Sequence, residues 1–335
     1  MVFISSKVNK IRNKSHKLFK RLSRLPLASL NYHLKNYDDV IWVVGDGRSG
    51  TTWLGDLINY DKRYRELFET IHPFHVKQTR DYGFNPYLRA NDTHSPLCQF
   101  LTLVFDGKFK HFRADVSKPQ CFFKGLLIKE IYANLLIAWV HKNIPKAKKV
   151  LIIRNPFSVA LSKQRHSNWI WMLEPKDFLH QEALMKDYLE PFESLINSTK
   201  DDFIDNQILI WAIIHYVPFK QLNKDDLHII FYENLLLNPE GELLRLLNYL
   251  HSSDSVCLNG DILKLIQKPS RTTSRRSSTL STSNPLDAWK SHLSVQQIDR
   301  GMKILNAFGL ASIYAGNSIP AQDESQLFDF PPTLK

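Results

Sequence analysis

The sequence predicts an α/β protein with three layers, in which a mainly parallel central sheet is flanked by helices. Three segments support this, and each contains buried apolar runs beside a helical pattern: residues 40–58, 121–153 and 227–250. The second segment is expected to begin with a strand at 121–123. Strands that alternate with helices form parallel sheets, because a parallel crossover usually needs a helix between its strands. The length of 335 residues, 43% of them hydrophobic and 23% charged, fits a soluble globular domain.

Composition narrows the possible partners. The chain carries a net charge of +11 and therefore favours an anionic ligand or partner. Its three cysteines are scattered without paired spacing, which argues against a disulfide framework and against a zinc site. No metal is expected.

The chain divides into three parts by composition. Residues 1–38 form a basic leader with an imperfect apolar stripe, expected to be a solvated or docked arm; peripheral contact with an anionic membrane surface is the alternative. Residues 39–315 form one domain, and residues 316–335, with several prolines and acids, form a loosely held C-terminal tail. No run of about 18 apolar residues is present, which favours a cytoplasmic protein.

The most informative segment is a strand, a glycine-rich loop and a helix. Val40–Val44 predicts a buried strand, and Gly45, Gly47 and Gly50 follow it before a helical pattern begins at Thr51. This arrangement directs backbone N–H groups and a helix N-terminus at a single phosphate. The segment therefore predicts a site for a phosphorylated ligand.

Two general nucleotide-binding patterns nearly fit this loop. In the P-loop pattern Thr51 occupies the position of the lysine that a Mg-nucleotide kinase needs. The dinucleotide pattern GxGxxG fits Gly45, Gly47 and Gly50, but it is weak evidence alone. Neither pattern explains Arg48 within the loop. A P-loop kinase, an NAD(P)-binding oxidoreductase and a basic nucleic-acid-binding module remain as lower-ranked alternatives.

The run from Arg48 to Trp53 resembles the 5′-phosphosulfate loop of sulfotransferases that use 3′-phosphoadenosine 5′-phosphosulfate (PAPS). This resemblance implies a fold like that of P-loop kinases and a direct in-line sulfuryl transfer that leaves 3′-phosphoadenosine 5′-phosphate (PAP). It also implies that Arg48 stabilises the departing phosphate oxygen, since a guanidinium beside backbone donors suits that charge. The cofactor contacts implied here are Arg48, Ser49, Gly50, Thr51, Thr52 and Trp53.

A second motif follows the buried strand predicted at Val150–Ile153. Arg154 with Ser162 eight residues later resembles the 3′-phosphate motif of the same family, and Asn155-Pro156 marks the start of the next helix. The structural alternative is a strand-end arginine paired with a loop carboxylate. Because both motifs occur in the family's order, together they are stronger evidence than either alone.

The resemblance also implies a general base. Glu69 lies twenty-one positions after Arg48, on a strand expected at residues 67–70, where the tyrosylprotein and carbohydrate branches place an acidic residue. The structural alternative is a surface glutamate paired with a nearby arginine. His72 and His75 are the next candidates for the base.

The resemblance implies that Lys129 stabilises the leaving oxygen, because it lies twenty-five positions before Arg154, as in the tyrosylprotein branch. The proline that follows this lysine in the family is absent, since Glu130-Ile131 stands there. An exposed lysine at the start of a helix is the structural alternative, and Lys124 is the nearest rival for the role.

The C-terminal half supplies the remaining cofactor candidates. By the same resemblance Tyr232, which follows the strand predicted at 227–231, touches the adenine together with Trp53. A polar, basic segment at 269–284 and the nearby Lys290 are expected to reach the phosphates, with Arg271, Arg275 and Arg276 as further candidates.

The predicted reaction moves a sulfuryl group from PAPS to a hydroxyl acceptor. A glycan or glycolipid is the first expectation, because the loop arginine and the ending around Trp289 look more like carbohydrate enzymes. A tyrosine, a phenol or another small molecule remains open as the acceptor. No nucleic-acid partner is expected.

Overall fold

Five parallel strands form the central sheet of the structure, a computed structural model that describes residues 37–117, 120, 122–166, 174–199, 202–251, 258, 260–266, 268 and 285–328. The strands are β1 (Val40–Val44), β2 (Tyr64–Phe68), β3 (Gly125–Lys129), β4 (Ala147–Ile153) and β5 (His228–Phe231). Their spatial order is β2-β3-β1-β4-β5, and every neighbouring pair is parallel. The predicted fold class is confirmed.

Helices cover both faces of this sheet. They are α1 (Thr51–Ile58), α2 (Pro96–Phe105), α3 (Ile137–Asn143), α4 (Pro156–Gln164), α5 (Glu182–Leu184), α6 (Glu193–Ser198), α7 (Phe203–Gln221), α8 (Tyr232–Leu237), α9 (Pro239–Leu250), α10 (Gly260–Ile266) and α11 (Val295–Ala307). Short 3₁₀ segments occupy Lys77–Tyr82, Asn134–Leu136, Pro175–His180, Glu190–Phe192, Ala311–Ile313 and Glu324–Phe328, and a π-helical turn occupies Met185–Leu189.

Two hydrophobic cores lie on opposite faces of the sheet, because side chains alternate along each strand. Trp42 of β1 belongs to the larger core, which is built with α2, α3, α7 and α11. Its neighbours Ile41 and Val43 belong to the second core, against α1 and α9. All five residues of β1 are buried, as expected for a central parallel strand.

Two predicted strand positions were wrong, and both errors have a physical cause. The strand expected at 67–70 is observed at Tyr64–Phe68. The prediction missed its start because Arg65 is a charged residue, but in the structure Arg65 is buried. It pairs with Asp115 at 2.9 Å and donates to the carbonyl oxygen of Phe109 at 2.8 Å. The strand expected at 121–123 begins instead at Gly125. A Cβ at Gly125 would collide with the carbonyl oxygen of Asp39, so the sheet starts where a glycine permits close approach.

Helix boundaries follow the expected capping residues more closely. Asn155 accepts from the backbone N–H of Ser158, and Pro156 takes the first helical position of α4, as predicted. α11 begins with a capping box at Ser294.

The C-terminal segment packs more tightly than the predicted tail, as far as residue 328. Leu327 is fully buried, and the Asn317 carbonyl oxygen accepts from Asn155 Nδ2 at 2.9 Å. The predicted leader, except for its last residues Tyr37 and Asp38, lies outside the described residues, as do residues 329–335. Within the described ranges, no helix has the length and hydrophobicity that crossing a membrane requires.

Candidate active site at the carboxyl edge of the sheet

The five strands deliver the candidate residues to one edge. Glu69 follows β2, Lys129 ends β3, the loop 45–50 follows β1, Arg154 follows β4 and Tyr232 follows β5. Because the strands are parallel and ordered β2-β3-β1-β4-β5, Glu69 and Lys129 lie on one side of the loop, and Arg154 and Tyr232 lie on the other. Ligands of open α/β sheets bind at this edge.

The glycine-rich loop makes a tight turn into α1. Arg48 and Gly50 adopt left-handed conformations with φ of 73° and 96°, and the N–H of Ser49 donates to the carbonyl oxygen of Asp46 at 3.1 Å. A Cβ at Gly45 would lie 2.5 Å from the carbonyl oxygen of Ile152, so the loop passes directly against β4. Gly50 at the N-cap of α1 offers no side-chain cap to the first-turn N–H groups, which a helix leaves without intrahelical partners.

A buried ion pair anchors the loop from behind. Lys163 of α4 donates to both carboxylate oxygens of Asp46 at 2.7 Å, and the two side chains are only 2% and 4% exposed. Burial raises the pKa of Asp46, and the adjacent ammonium opposes that rise. Sequence reasoning missed this pair, although Lys163 directly follows Ser162 of the second motif.

Arg48 joins the two predicted motifs. Its Nε donates to Ser162 Oγ at 3.1 Å, and its carbonyl oxygen accepts from Arg154 Nη1 at 2.9 Å. Burial and the neighbouring Arg154 both lower the pKa of Arg48. The structure therefore brings the two motifs into direct contact.

The two arginines lack an ion-pair partner within the described part of the chain, although Arg154 lies near enough to Glu233 for its charge to lower the pKa of that carboxyl group. Neither Arg48 nor Arg154 forms an ion pair there, so the structural alternative of a loop carboxylate bound to Arg154 does not hold. Arg154 Nε and Ser49 Oγ are buried and lack hydrogen-bond partners among the described residues. Because unpaired buried donors are costly, this arrangement suits an anionic ligand with several acceptor oxygens.

Two aromatic rings border the arginines. The guanidinium of Arg154 lies over the ring of Tyr232, 4.3 Å from its centroid. Trp53 meets Tyr232 edge to face, with centroids 5.6 Å apart and an interplanar angle of 64°. The two rings thus touch each other and leave no base-wide gap between them.

A buried glutamate supports the turn that carries Arg154. Glu233 Oε1 accepts from the Asn155 N–H at 2.9 Å, and its Oε2 accepts from the Tyr314 hydroxyl at 3.0 Å. Burial raises the pKa of Glu233 to about 7, against the lowering effects of the Asn155 N–H and the nearby Arg154 charge. This support was also missed from the sequence.

Glu69 and Lys129 form the other half of the site. Lys129 Nζ donates to Glu69 Oε1 at 2.6 Å, and the N–H of Glu69 donates to the Lys129 carbonyl oxygen at 2.7 Å. Lys129 is the buried last residue of β3, so the alternative of an exposed lysine at a helix start is wrong. Nearby arginines pair elsewhere, Arg63 with Asp61, which removes the alternative of a surface glutamate bound to them.

Two histidines lie beside this pair. The rings of His72 and His75 stack with centroids 4.1 Å apart, and His75 Nδ1 lies 3.0 Å from Arg113 Nη1. Burial lowers the pKa of His72 to about 4, so its imidazole is neutral near pH 7. The described residues contain no group of three side chains able to hold a metal ion.

The remaining candidate phosphate contacts come from the C-terminal part of the chain. Lys290 pairs with Asp287 at 2.8 Å at the surface, and its contact with a phosphate stays a prediction. Trp289 is buried and stacks on Phe157 of α4 with centroids 4.8 Å apart, so it supports that helix. The candidates Arg271, Arg275 and Arg276 lie outside the described residues.

Comparison with known proteins agrees with the motifs. A family model described as the sulfotransferase domain matches residues 38–307, which is more than half of the chain. A search of curated proteins found no match.

Solved structures show weaker likenesses. The sulfotransferase domain from the curacin biosynthetic pathway is 14% identical with a TM-score of 0.40, covering 81% of this chain and 98% of its own. The sulfotransferase domain of a Synechococcus olefin synthase is 15% identical with a TM-score of 0.40, and the match covers 81% of this chain and 96% of that domain. A mouse sulfotransferase complexed with PAP is 12% identical with a TM-score of 0.37, and the match covers 84% of this chain and 87% of the mouse chain. These values add nothing to the family match.

Gly50→Ala should weaken the site through the ring of Tyr232. The new Cβ would lie 2.7 Å from that ring, at a residue whose φ of 96° already disfavours a side chain. We expect a loss of about 1–3 kcal/mol in unfolding free energy, measured by urea denaturation. Gly316→Ala is the matched control, because it has a φ of 74° but no atom within 4 Å of the new Cβ. Equal losses in both variants would contradict the steric role of Gly50.

The buried pair should show strong coupling in a double-mutant cycle. Asp46→Leu or Lys163→Met alone leaves one buried charge without its partner, and each should cost about 3–5 kcal/mol of unfolding free energy. The double variant removes both charges and should be more stable than either single variant. Additive losses in urea denaturation would show that the pair does not act as a unit.

Proposed function

The chain belongs to the sulfotransferase family, and from this premise we propose that it transfers a sulfuryl group from PAPS to a hydroxyl acceptor and releases PAP. The observation that carries the proposal is the pair of adjacent guanidinium groups, Arg48 and Arg154, at the carboxyl edge of the sheet. Together with the unpaired Ser49 hydroxyl, they offer donors to a ligand with two separate anionic groups. An adenosine that is phosphorylated at both ends has this character.

The donors divide naturally between the two ends of such a nucleotide. Arg48, Ser49 and the first turn of α1 suit the 5′-phosphosulfate, because they surround a helix N-terminus. Arg154 suits the 3′-phosphate, with Ser162 beside it on α4. Tyr232, whose ring lies under the Arg154 guanidinium, suits a contact with the adenine base, and Trp53 packs edge to face against Tyr232. The mouse sulfotransferase to which the chain is similar was solved with PAP.

Sulfuryl transfer needs few groups from the protein. The acceptor oxygen attacks the sulfur, the bond between the sulfur and the bridging oxygen breaks, and the hydroxyl proton goes to the Glu69 carboxylate. The phosphate oxygen gains charge as it leaves, and Arg48 and Lys129 stabilise that charge. The sheet order supports this assignment, because β3 places Lys129 between Glu69 and the loop that carries Arg48.

The acceptor is proposed to be a carbohydrate or glycolipid hydroxyl. The support is the loop arginine and the surface beside Glu69, where the rings of Phe74 and Phe84 contact each other and His72. Aromatic faces of this kind pack against the C–H faces of sugars. Mass spectrometry of PAPS turnover over a panel of glycans, glycolipids, phenols and alcohols tests the acceptor class.

Arg154→Ala should weaken nucleotide binding. Removing a guanidinium that binds the 3′-phosphate should lower PAP affinity at least tenfold in calorimetry and raise the KM for PAPS more than it lowers kcat. Arg89→Ala is the control, because Arg89 pairs with Asp187 at the surface. Unchanged PAP affinity in Arg154→Ala would reject the 3′-phosphate role, and tighter binding of NADH or ATP than of PAP by the wild type would reject the proposed function.

Glu69→Gln should remove turnover while nucleotide binding survives. The amide keeps an acceptor for Lys129 but cannot take the acceptor proton, so kcat should fall about 100- to 1000-fold with PAP affinity little changed. Arg48→Ala should lose turnover to a similar extent. Glu182→Gln, on the short helix α5, serves as the matched control. Near-normal turnover of Glu69→Gln would move the base to His72 or His75.

A further inference from the structure

The turn after β2 is joined to the end of β3 and the residue that follows it by two parallel sets of hydrogen bonds. Glu69 and Lys129 make the first set, through the N–H and carboxylate of Glu69. The second set lies one residue further along each segment, where both the N–H and the hydroxyl of Thr70 donate to Glu130 Oε1, at 2.6 and 2.5 Å. Thr70 and Glu130 are almost fully buried.

Glu69 needs this support because its backbone is strained. Its φ is 54°, a left-handed conformation that a residue with a Cβ adopts only when its surroundings hold it there. The turn lies just beyond β2, where regular strand pairing with β3 has ended at Lys129. The hydrogen bonds to Glu130 restrain the peptide unit that joins Glu69 to Thr70, and so restrain the conformation of Glu69.

Glu130 is itself fixed to the centre of the sheet. Its N–H donates to the carbonyl oxygen of Val43 in β1 at 2.9 Å, next to the glycine-rich loop. Glu130 therefore links the turn after β2, through its carboxyl group, to the strand that carries the nucleotide loop, through its backbone N–H. Its second oxygen, Oε2, has no hydrogen-bond partner in the described ranges.

We propose that Glu130 is a positioning residue for the sulfuryl transfer, which holds the Glu69-Thr70 turn so that the Glu69 carboxylate stays on Lys129 and at a set distance from the nucleotide loop. This inference rests on the proposed function for its kinetic consequence. The hydrogen-bonded clamp made by Thr70 and Glu130 can be tested without any activity.

The clamp needs an acceptor oxygen, and it does not need a negative charge. Burial raises the pKa of Glu130 to about 7, with the neighbouring Glu69 carboxylate adding to the rise and Lys129 and the Thr70 donors opposing it. Near neutral pH the side chain is thus partly protonated, and a glutamine reproduces the protonated form. Glu130→Gln should therefore keep the clamp, whereas Glu130→Ala should lose it.

The first experiment measures hydrogen exchange by mass spectrometry on the full-length protein. In Glu130→Ala the amides of Glu69 and Thr70 lose their restraint, so exchange in the peptide covering residues 64–72 should accelerate at least tenfold. Glu130→Gln and Thr70→Ser should exchange at the wild-type rate, and Thr70→Val should be intermediate because it retains the N–H donor. Unchanged exchange in Glu130→Ala would overturn the clamp, whether or not the protein is a sulfotransferase.

The second experiment measures PAPS turnover with whichever acceptor the wild type uses. Glu130→Ala should lower kcat at least tenfold while the KM for PAPS and the affinity for PAP change less than twofold, and Glu130→Gln should restore most of the loss. Ser294→Ala, which removes the cap of α11, controls for general destabilisation and should leave kcat unchanged. Faster exchange without a loss of kcat, or equal losses of kcat and PAP affinity, would overturn the positioning role. Absence of turnover in the wild type with every acceptor would instead reject the proposed function.

Discussion

The site depends on two guanidinium groups that the fold holds side by side without a carboxylate between them. Arg154 donates to the backbone of Arg48, and Arg48 donates to Ser162. Neither arginine forms an ion pair among the described residues, although the Arg154 charge acts on the nearby buried Glu233. Such an arrangement is costly in the absence of an anion. Contacts around the two arginines must offset that cost. The main one is the buried Asp46–Lys163 pair, which attaches the loop 45–50 to α4.

The order of the strands then determines which candidate residues lie on each side of the glycine-rich loop. With β1 in the middle of the sheet, the loop lies between an ion-paired side and a cationic, aromatic side. Glu69 and Lys129 come from the β2 and β3 ends, while Arg154 and Tyr232 come from the β4 and β5 ends. A nucleotide that lies along this edge in the proposed orientation would place its ribose phosphate near β4 and its reacting end near β3, where Glu69 and Lys129 are already paired at 2.6 Å.

The parts of this site that are local in sequence could be predicted, and those that depend on distant residues could not. β1, the loop after it and the cap of α4 were predicted because strand, glycine and capping signals are contiguous. Lys163 and Asp46 are 117 positions apart, Glu233 and Tyr314 are 81 apart, and Thr70 and Glu130 are 60 apart. No local pattern marks such pairs. The bounds of β2 were misjudged for a related reason, since Arg65 looks like a surface residue until Asp115 is brought against it.

Two of the five described non-glycine residues with positive φ lie in the candidate site. Arg48 and Glu69 both have positive φ values, of 73° and 54°, although neither is a glycine. Each is the residue whose side chain the proposed reaction requires, and each is followed by a residue buried in the fold, Ser49 and Thr70. Glu69 directly follows β2, and Arg48 lies in the loop after β1, so each left-handed residue is in a turn at the carboxyl edge of the sheet. Glycine would relieve the strain but would remove the guanidinium or the carboxylate, so the strain must be held by contacts from elsewhere, and the clamp on Thr70 is one of them.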